Sequence, residues 1–345
     1  MKKNVFLFFC CILVFFTSCQ QNNKKGTSVA VFVPGIMADS PVYSMLAEGV
    51  QEAISEYNEL NPEKSVSVTI LEAGTNQAEW GNKLTALASS NLHDVIISSN
   101  PSLPEIVLPL TKMFPKQKLI ILDAFFEGNE NIATVRYNQR EQAFLTGFIA
   151  ALVSTANKSE MEFSNSACKL GFIAAQEYPV MNNILLPSFI EGATVAVPDA
   201  TVDFRIVGNW YDASKGAELA TALYKSGVDV ILPICGGASQ GVISAAKELG
   251  FYITWFDDNG FSKAPGYVVS SSVMAQKRMA KEITNAYLLE KITFGSAKTV
   301  GIQDGYIDFV QDDPLYVETV PQSIRDKMKT LVDSIKSGEL LLPSP

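Results

Sequence analysis

The feature that most constrains this chain is a rhythm: short apolar runs alternate with amphipathic helical patterns along most of its 345 residues. Strand-length runs bounded by turn residues, each followed by a period of about 3.6, are the signature of βαβ units and parallel sheets covered by helices. Residues 29–33 read as the first buried strand, ending at Pro34-Gly35. Asp39 or Ser40 then caps a helix with Pro41 in its first turn, where a missing N–H costs nothing. Tyr43, Leu46, Val50, Ala53 and Tyr57 recur every third or fourth residue and give that helix one apolar face.

The pattern continues with strands at 66–71, 94–99, 118–123 and 132–137 and helices at 77–89 and 103–114. A helix at 139–156 and the polar stretch 159–167 lead into a second series, with strands at 169–174, 202–208, 229–234 and 252–256. Helices at 181–193, 213–226 and 240–249 separate them. Asp257-Asp258-Asn259-Gly260 precedes a strand at 267–272, a helix to about 290, strand pieces at 298–303 and 306–310, and a final helix at 322–337. The expected fold class is α/β: two doubly wound lobes joined by several crossings, with a ligand at the strand C-termini between them. The expected first lobe is 28–137 plus 260–292, and the second is 138–259 plus 293–345.

Residues 1–18 read as a secretion signal: Lys2 and Lys3, an apolar run over 5–16, then Thr17-Ser18 before Cys19. The run is too short for the ~20 residues that span a bilayer. Cys19 is the expected lipidation site and 19–27 a polar tether, so the lipid bilayer is an expected partner through acylated Cys19. The formal net charge is −9, and loss of Lys2 and Lys3 makes it more negative. That balance argues against nucleic acid and against an anionic membrane surface as partners. His93 is the single histidine, which removes most histidine-based catalysis and any multi-histidine metal site. Cys168 opens one strand and Cys235 closes another, so both are expected to be free and buried.

Certain stretches are more specific. Trp210-Tyr211-Asp212-Ala213-Ser214-Lys215-Gly216, Gly236-Gly237-Ala238-Ser239-Gln240-Gly241-Val242 with Ala245-Ala246-Lys247, and Pro115-Lys116-Gln117-Lys118 leading to Asp123-Ala124 together resemble the basic membrane protein family of substrate-binding lipoproteins. The likeness covers essentially the whole mature chain. It implies a periplasmic binding protein type I fold, an ABC permease and ATPase as partners, a chain facing the periplasm or cell surface, and ligand capture by lobe closure rather than catalysis.

Where the family usually reads Asp-Lys-Ser-Phe-Asn, this chain has Asp39-Ser40-Pro41-Val42-Tyr43, so the ring that stacks on a nucleobase falls at Val42 with Tyr43 beside it. The family's Val-Asp-x-Asp-Gln aligns with Trp255-Phe256-Asp257-Asp258-Asn259, which puts Phe256 at a ribose-binding aspartate. A family lysine falls on Met274. A ribose would lose both partners, and each unmet buried polar group costs about 1–3 kcal/mol. The window that remains is aromatic and acidic: Tyr43, Trp210, Tyr211, Trp255 and Phe256 with Asp39, Asp212, Asp257 and Asp258.

The family has a riboflavin-binding branch, and the resemblance implies Tyr43 and Trp210 around an isoalloxazine. Asn100, Asn138, Gln139, Gln240 or Asp258 would address its edge and ribityl chain. The carboxylates disfavour phosphorylated forms by like-charge repulsion. No cofactor is expected beyond riboflavin as the transported ligand. A purine nucleoside is the alternative within the class, and a surface lipoprotein with an adhesion role is the alternative outside it.

The glycine run 236–241 lacks the Lys-Ser/Thr of a nucleotide-hydrolysing loop and the spacing of a dinucleotide fingerprint. It reads as a tight turn that lets the amides near Gly237 approach a ligand. Asp257 and Asp258 read as a hinge aiming one carboxylate into the cleft, Trp80 as core, and His93 as a loop residue. No nucleophile-elbow motif supports a hydrolase.

Overall fold

The computed structural model describes residues 27–344. The expected signal, the Cys19 lipidation site and all but the last residue of the tether lie outside the described residues. Within them, the first lobe holds β1 (Ser28–Val33), α1 (Pro41–Leu60), β2 (Ser67–Glu72), α2 (Trp80–Ser89), β3 (Val95–Ser99), α3 (Leu103–Met113), β4 (Lys118–Leu122) and β5 (Ile132–Tyr137). The second follows with α4 (Gln139–Ser154), β6 (Lys169–Ala174), α5 (Leu186–Ala196), β7 (Thr201–Ile206), α6 (Ala213–Lys225), β8 (Val230–Ile234), α7 (Ser239–Leu249) and β9 (Tyr252–Asp257). The chain closes with β10 (Val268–Met274), α8 (Gln276–Leu288), β11 (Ala297–Val300), β12 (Ile307–Phe309), α9 (Pro314–Thr319) and α10 (Gln322–Lys336).

Two sheets result, ordered β11-β5-β4-β3-β1-β2 and β12-β10-β9-β8-β6-β7. Their pairings are parallel except for β10 with β12. This corrects the expected lobe boundaries. The strand placed in the first lobe within 260–292 is β10, which pairs with β9 in the second sheet. The strand placed in the second lobe within 293–345 is β11, which pairs with β5 in the first. Helix α8, between them, packs on α1 of the first lobe. The chain therefore crosses between the lobes at β5 to α4, at β10 to α8, and at β11 to β12. A run of strand-like residues carries no label for the sheet that it joins, and an edge partner is chosen only in three dimensions.

The crossings are knit by buried polar groups. The Tyr137 hydroxyl donates to Gln276 Oε1 at 2.6 Å, and the Ile302 amide donates to the Glu141 carboxylate at 2.7 Å. Burial holds Glu141 above the ordinary carboxylate range.

Helix packing in the second lobe depends on close backbone approach. A Cβ on Gly147 of α4 would run into the Phe189 carbonyl of α5, and a Cβ on Gly192 of α5 into the Phe144 carbonyl of α4. Reciprocal glycines let these two helices touch main chain to main chain. Free Cys168 and Cys235 are both buried, as expected.

Candidate functional site

Between the lobes, at the C-terminal ends of the central strands, lies a cavity of about 560 Å³ lined from both sides, where doubly wound sheets place their ligands. Its wall in the first lobe is built by the segment after β1. Pro41 starts α1, and the Ser44 hydroxyl donates to the Met37 carbonyl at 2.9 Å, which fixes the turn before the helix. Tyr43 lies over Gly35, where a Cβ would sit only 2.7 Å from its ring, and Asn100 Nδ2 donates to the Tyr43 hydroxyl at 3.1 Å. Burial raises the Tyr43 phenol well above its ordinary range, so it stays neutral. Ser99 also lines the cavity, and its buried hydroxyl has no hydrogen-bond partner in the protein.

The opposite wall begins where β7 ends. Asn209 Oδ1 accepts from the amides of Tyr211 (3.0 Å) and Asp212 (2.8 Å), and Asp212 Oδ1 accepts from the Lys215 amide at 2.9 Å to cap α6. This pair of side-chain turns fixes Trp210 at the cavity. The indole rests on Gly236, in the left-handed region at φ 56°, where a Cβ would lie 2.9 Å from the Trp210 carbonyl. Tyr178 extends the wall, its ring 6.3 Å from that of Trp210. A Cβ on Gly237 would lie 3.8 Å from the Asp39 carboxyl carbon, so the rims of the two lobes meet at these residues.

The floor contains Trp255, Phe256, Asp257 and Asp258. Trp255 Nε1 donates to Asp258 at 2.5 Å, and Lys263 pairs with the same carboxylate at 3.2 Å while lying over the indole at 5.2 Å. Among the described lining residues Lys263 is the one cation, and these contacts commit it. Asp257 takes the opposite direction, at φ 75°, and accepts from Gln142 Nε2 at 3.2 Å. Burial first, and then the neighbouring Asp258 charge, pushes Asp257 up to about 7. Across the cleft Asp123, at φ 54° beyond β4, is also held well above the ordinary carboxylate range, by burial first and then by Asp257.

The cavity gathers Asp39, Tyr43, Asn100, Gln139, Trp210, Gly237, Gln240, Trp255, Phe256 and Asp258 from the sequence expectations. Two expected residues are corrected. Asn138 is buried at the first crossing, where its Nδ2 donates to the Leu342 carbonyl at 2.8 Å, so the chain's own C-terminal segment occupies it. Tyr211 is 59% exposed and lies outside the lining, because the turn that points Trp210 inward turns the next residue outward.

Sequence reasoning did not assign Tyr178, Asp123 or Cys235 to the lining, and it placed Trp80 in the core. Trp80 is buried as expected, with Nε1 donating to the Gly74 carbonyl at 2.9 Å, and it also reaches the cavity edge. The Asp123-Ala124 match at the end of a strand was the available signal for Asp123; nothing local marked Tyr178. Met274 is buried outside the lining, and His93 bonds Ser28 Oγ at 2.9 Å, far from this chemistry in the first lobe's sheet edge.

Comparison with known proteins agrees with this geometry. Residues 26–340 match the family described as "ABC transporter substrate-binding protein PnrA-like", and the chain belongs to that family. It is 25% identical over 325 residues to Basic membrane protein A of Borreliella afzelii, covering 90% of this chain and 93% of that one. It is also 25% identical over 260 residues to the "ABC transporter nucleoside-binding protein BmpA" of Lactococcus lactis, covering 70% and 69%. The fold is similar to that of a solute-binding protein of an ABC transporter system from Aeropyrum pernix K1, with TM-score 0.73, 20% identity, and coverage of 92% and 94%.

Proposed function

We propose that this member of the PnrA-like substrate-binding family captures riboflavin in its interlobe cleft and delivers it to an ABC permease and ATPase, without catalysing a reaction. The observation that carries this reading is the placement of aromatic rings from both lobes around one cavity: Tyr43 on one side, Trp210 and Tyr178 on the other, Trp255 and Phe256 below. Offset stacking adds about 0.5–1.5 kcal/mol per ring pair beyond the area buried, which suits a flat, extended heterocycle. Lys263 is engaged by Asp258 and several carboxylates line the cavity, so the site suits a neutral ligand better than a phosphorylated one.

A purine nucleoside is the second reading. It is favoured by the name of the Lactococcus relative and by Asp123 and Asp257, which offer acceptors to ribose hydroxyls even though Phe256 and Met274 replace the family's expected partners. Anchoring through acylated Cys19, outside the described residues, belongs to the same proposal. Among the described residues no helix is long and apolar enough to cross a membrane.

The test is titration of the delipidated protein, refolded to strip carried ligand, into riboflavin while flavin fluorescence is followed, with inosine and adenosine as competitors. Near-stoichiometric quenching at submicromolar concentration corresponds to binding beyond about 8 kcal/mol and supports the flavin reading. Absence of quenching with heat released on adding inosine replaces it with the nucleoside reading. A Cys19→Ala variant that still partitions into membranes would remove the lipid anchor from the proposal.

A further inference from the structure

We propose that Asp123 and Asp257, one from each lobe, act as a single acid pair that retains a proton at neutral pH, so that the cleft donates a hydrogen bond as well as accepting one. The inference rests on the preceding reading only for the location of the ligand site, and it defines the class of edge that the site recognises.

Both aspartates stand at the C-terminal end of a strand in the left-handed backbone region that few non-glycine residues adopt. Both line the same cavity. The surroundings supply no charge to neutralise them. On the floor, Lys263 is bound to Asp258 and covers Trp255. From α4, Gln142 offers Asp257 one neutral N–H, and the same Nε2 also donates to the Ser272 carbonyl at 3.0 Å. From α1 and from the segment after β6 come the Tyr43 and Tyr178 phenols, held neutral by burial and by both aspartates. Tyr137 of β5 spends its hydroxyl on Gln276. The other charges on the lining, Asp39, Glu105 and Glu177, are negative. Two carboxylates converging in such a site cannot both ionise without a large Coulomb cost, and retention of one proton removes it.

The chemical consequence is selectivity. A carboxylate only accepts hydrogen bonds, whereas a carboxylic acid also donates one. A pair holding one proton therefore complements a heterocycle that presents an N–H and a C=O side by side, as an imide or lactam does. It discriminates against an edge that offers only acceptors and against an anionic group.

The test needs no ligand. Carboxyl carbons of aspartate are labelled with 13C in the folded, delipidated protein and titrated by NMR, with Asp257→Asn and Asp123→Asn assigning the two signals. The expected result is one carboxyl with a midpoint near 7 in the unsubstituted protein. That midpoint should fall by at least about 1 pH unit when the partner aspartate becomes asparagine, the signature of coupled titration. Two aspartates titrating in the ordinary carboxylate range would overturn the proposal. So would a raised midpoint that stays unmoved by the partner's substitution, since burial alone would then hold the proton. If one variant does not fold, the other gives the reciprocal measurement. Failure of riboflavin to bind would leave this titration unaffected, so the two readings fail separately.

Discussion

In the first lobe the cleft wall is a single ring, Tyr43, held by Gly35 beneath it and one hydrogen bond from Asn100. In the second lobe the wall is a set: Trp210 on the Gly236 backbone, Tyr178 beside it, and Trp255 and Phe256 at the end of β9. Both lobes end a central strand with a left-handed aspartate, Asp123 or Asp257. The same topology thus supplies the same polar floor twice, while the aromatic surface is unequal. The second lobe holds most of the stacking surface, and the first closes it with one adjustable ring.

The largest effect that can break this contrast acts on the second lobe as a body. Gly147→Leu would drive a side chain into the Phe189 carbonyl, and overpacking of this kind costs about 3 kcal/mol or more when backbone must move. Thermal and denaturant melts should show that lobe losing cooperative structure, and an unchanged melt would contradict the close α4–α5 contact. On the ligand side, Trp210→Ala should weaken riboflavin binding by about 2–3 kcal/mol, roughly 30- to 150-fold, from lost apolar area and stacking. Tyr43→Phe should cost less, about 0.5–1.5 kcal/mol, because it removes only the hydrogen bond with Asn100. A larger loss from Tyr43→Phe than from Trp210→Ala, measured by fluorescence titration, would reverse the assignment of the main wall.

The floor gives a smaller, pH-dependent signature. Asp257 binds its proton more tightly when folded, so its contribution favours the folded state below the unfolded value near 4 and is lost as pH rises through about 7. Asp257→Asn should therefore be more stable than the unsubstituted protein at pH 8, by on the order of 1 kcal/mol, with the difference vanishing toward pH 4. Melting temperatures across that window check the sign. Tyr211→Ala should change riboflavin affinity by less than about 0.5 kcal/mol, as expected for an exposed residue outside the cavity. A loss equal to that of Trp210→Ala would mean that the rim closes further on ligand than the geometry shows.

Much of the site was legible because the residues that position it are local. Gly208, Asn209, Trp210 and Asp212 form one strand-to-helix turn, and a turn announces itself in sequence through glycine, asparagine and a capping aspartate. Asn138 and Tyr211 misled for the same reason. Each stands next to a true lining residue, Gln139 or Trp210, and adjacency along the chain says nothing about which way a side chain turns. Asn138 is claimed by Leu342, a partner 204 residues away.

The sequence by itself determined that the chain is a series of βαβ units, that two such series exist, and that each central strand ends in turn-forming residues. Periodicity and capping act over a few residues, and they are written where they act. Only the tertiary structure decided that β10 joins the second sheet while β11 joins the first, and that Asp123 and Asp257 meet across one cleft. It also turned Asp258 toward Lys263 and left Asp257 in the cavity without a cation. The physical reason is the same in each case: edge pairing and the fate of a buried charge depend on which distant groups arrive beside it, and packing alone sets that.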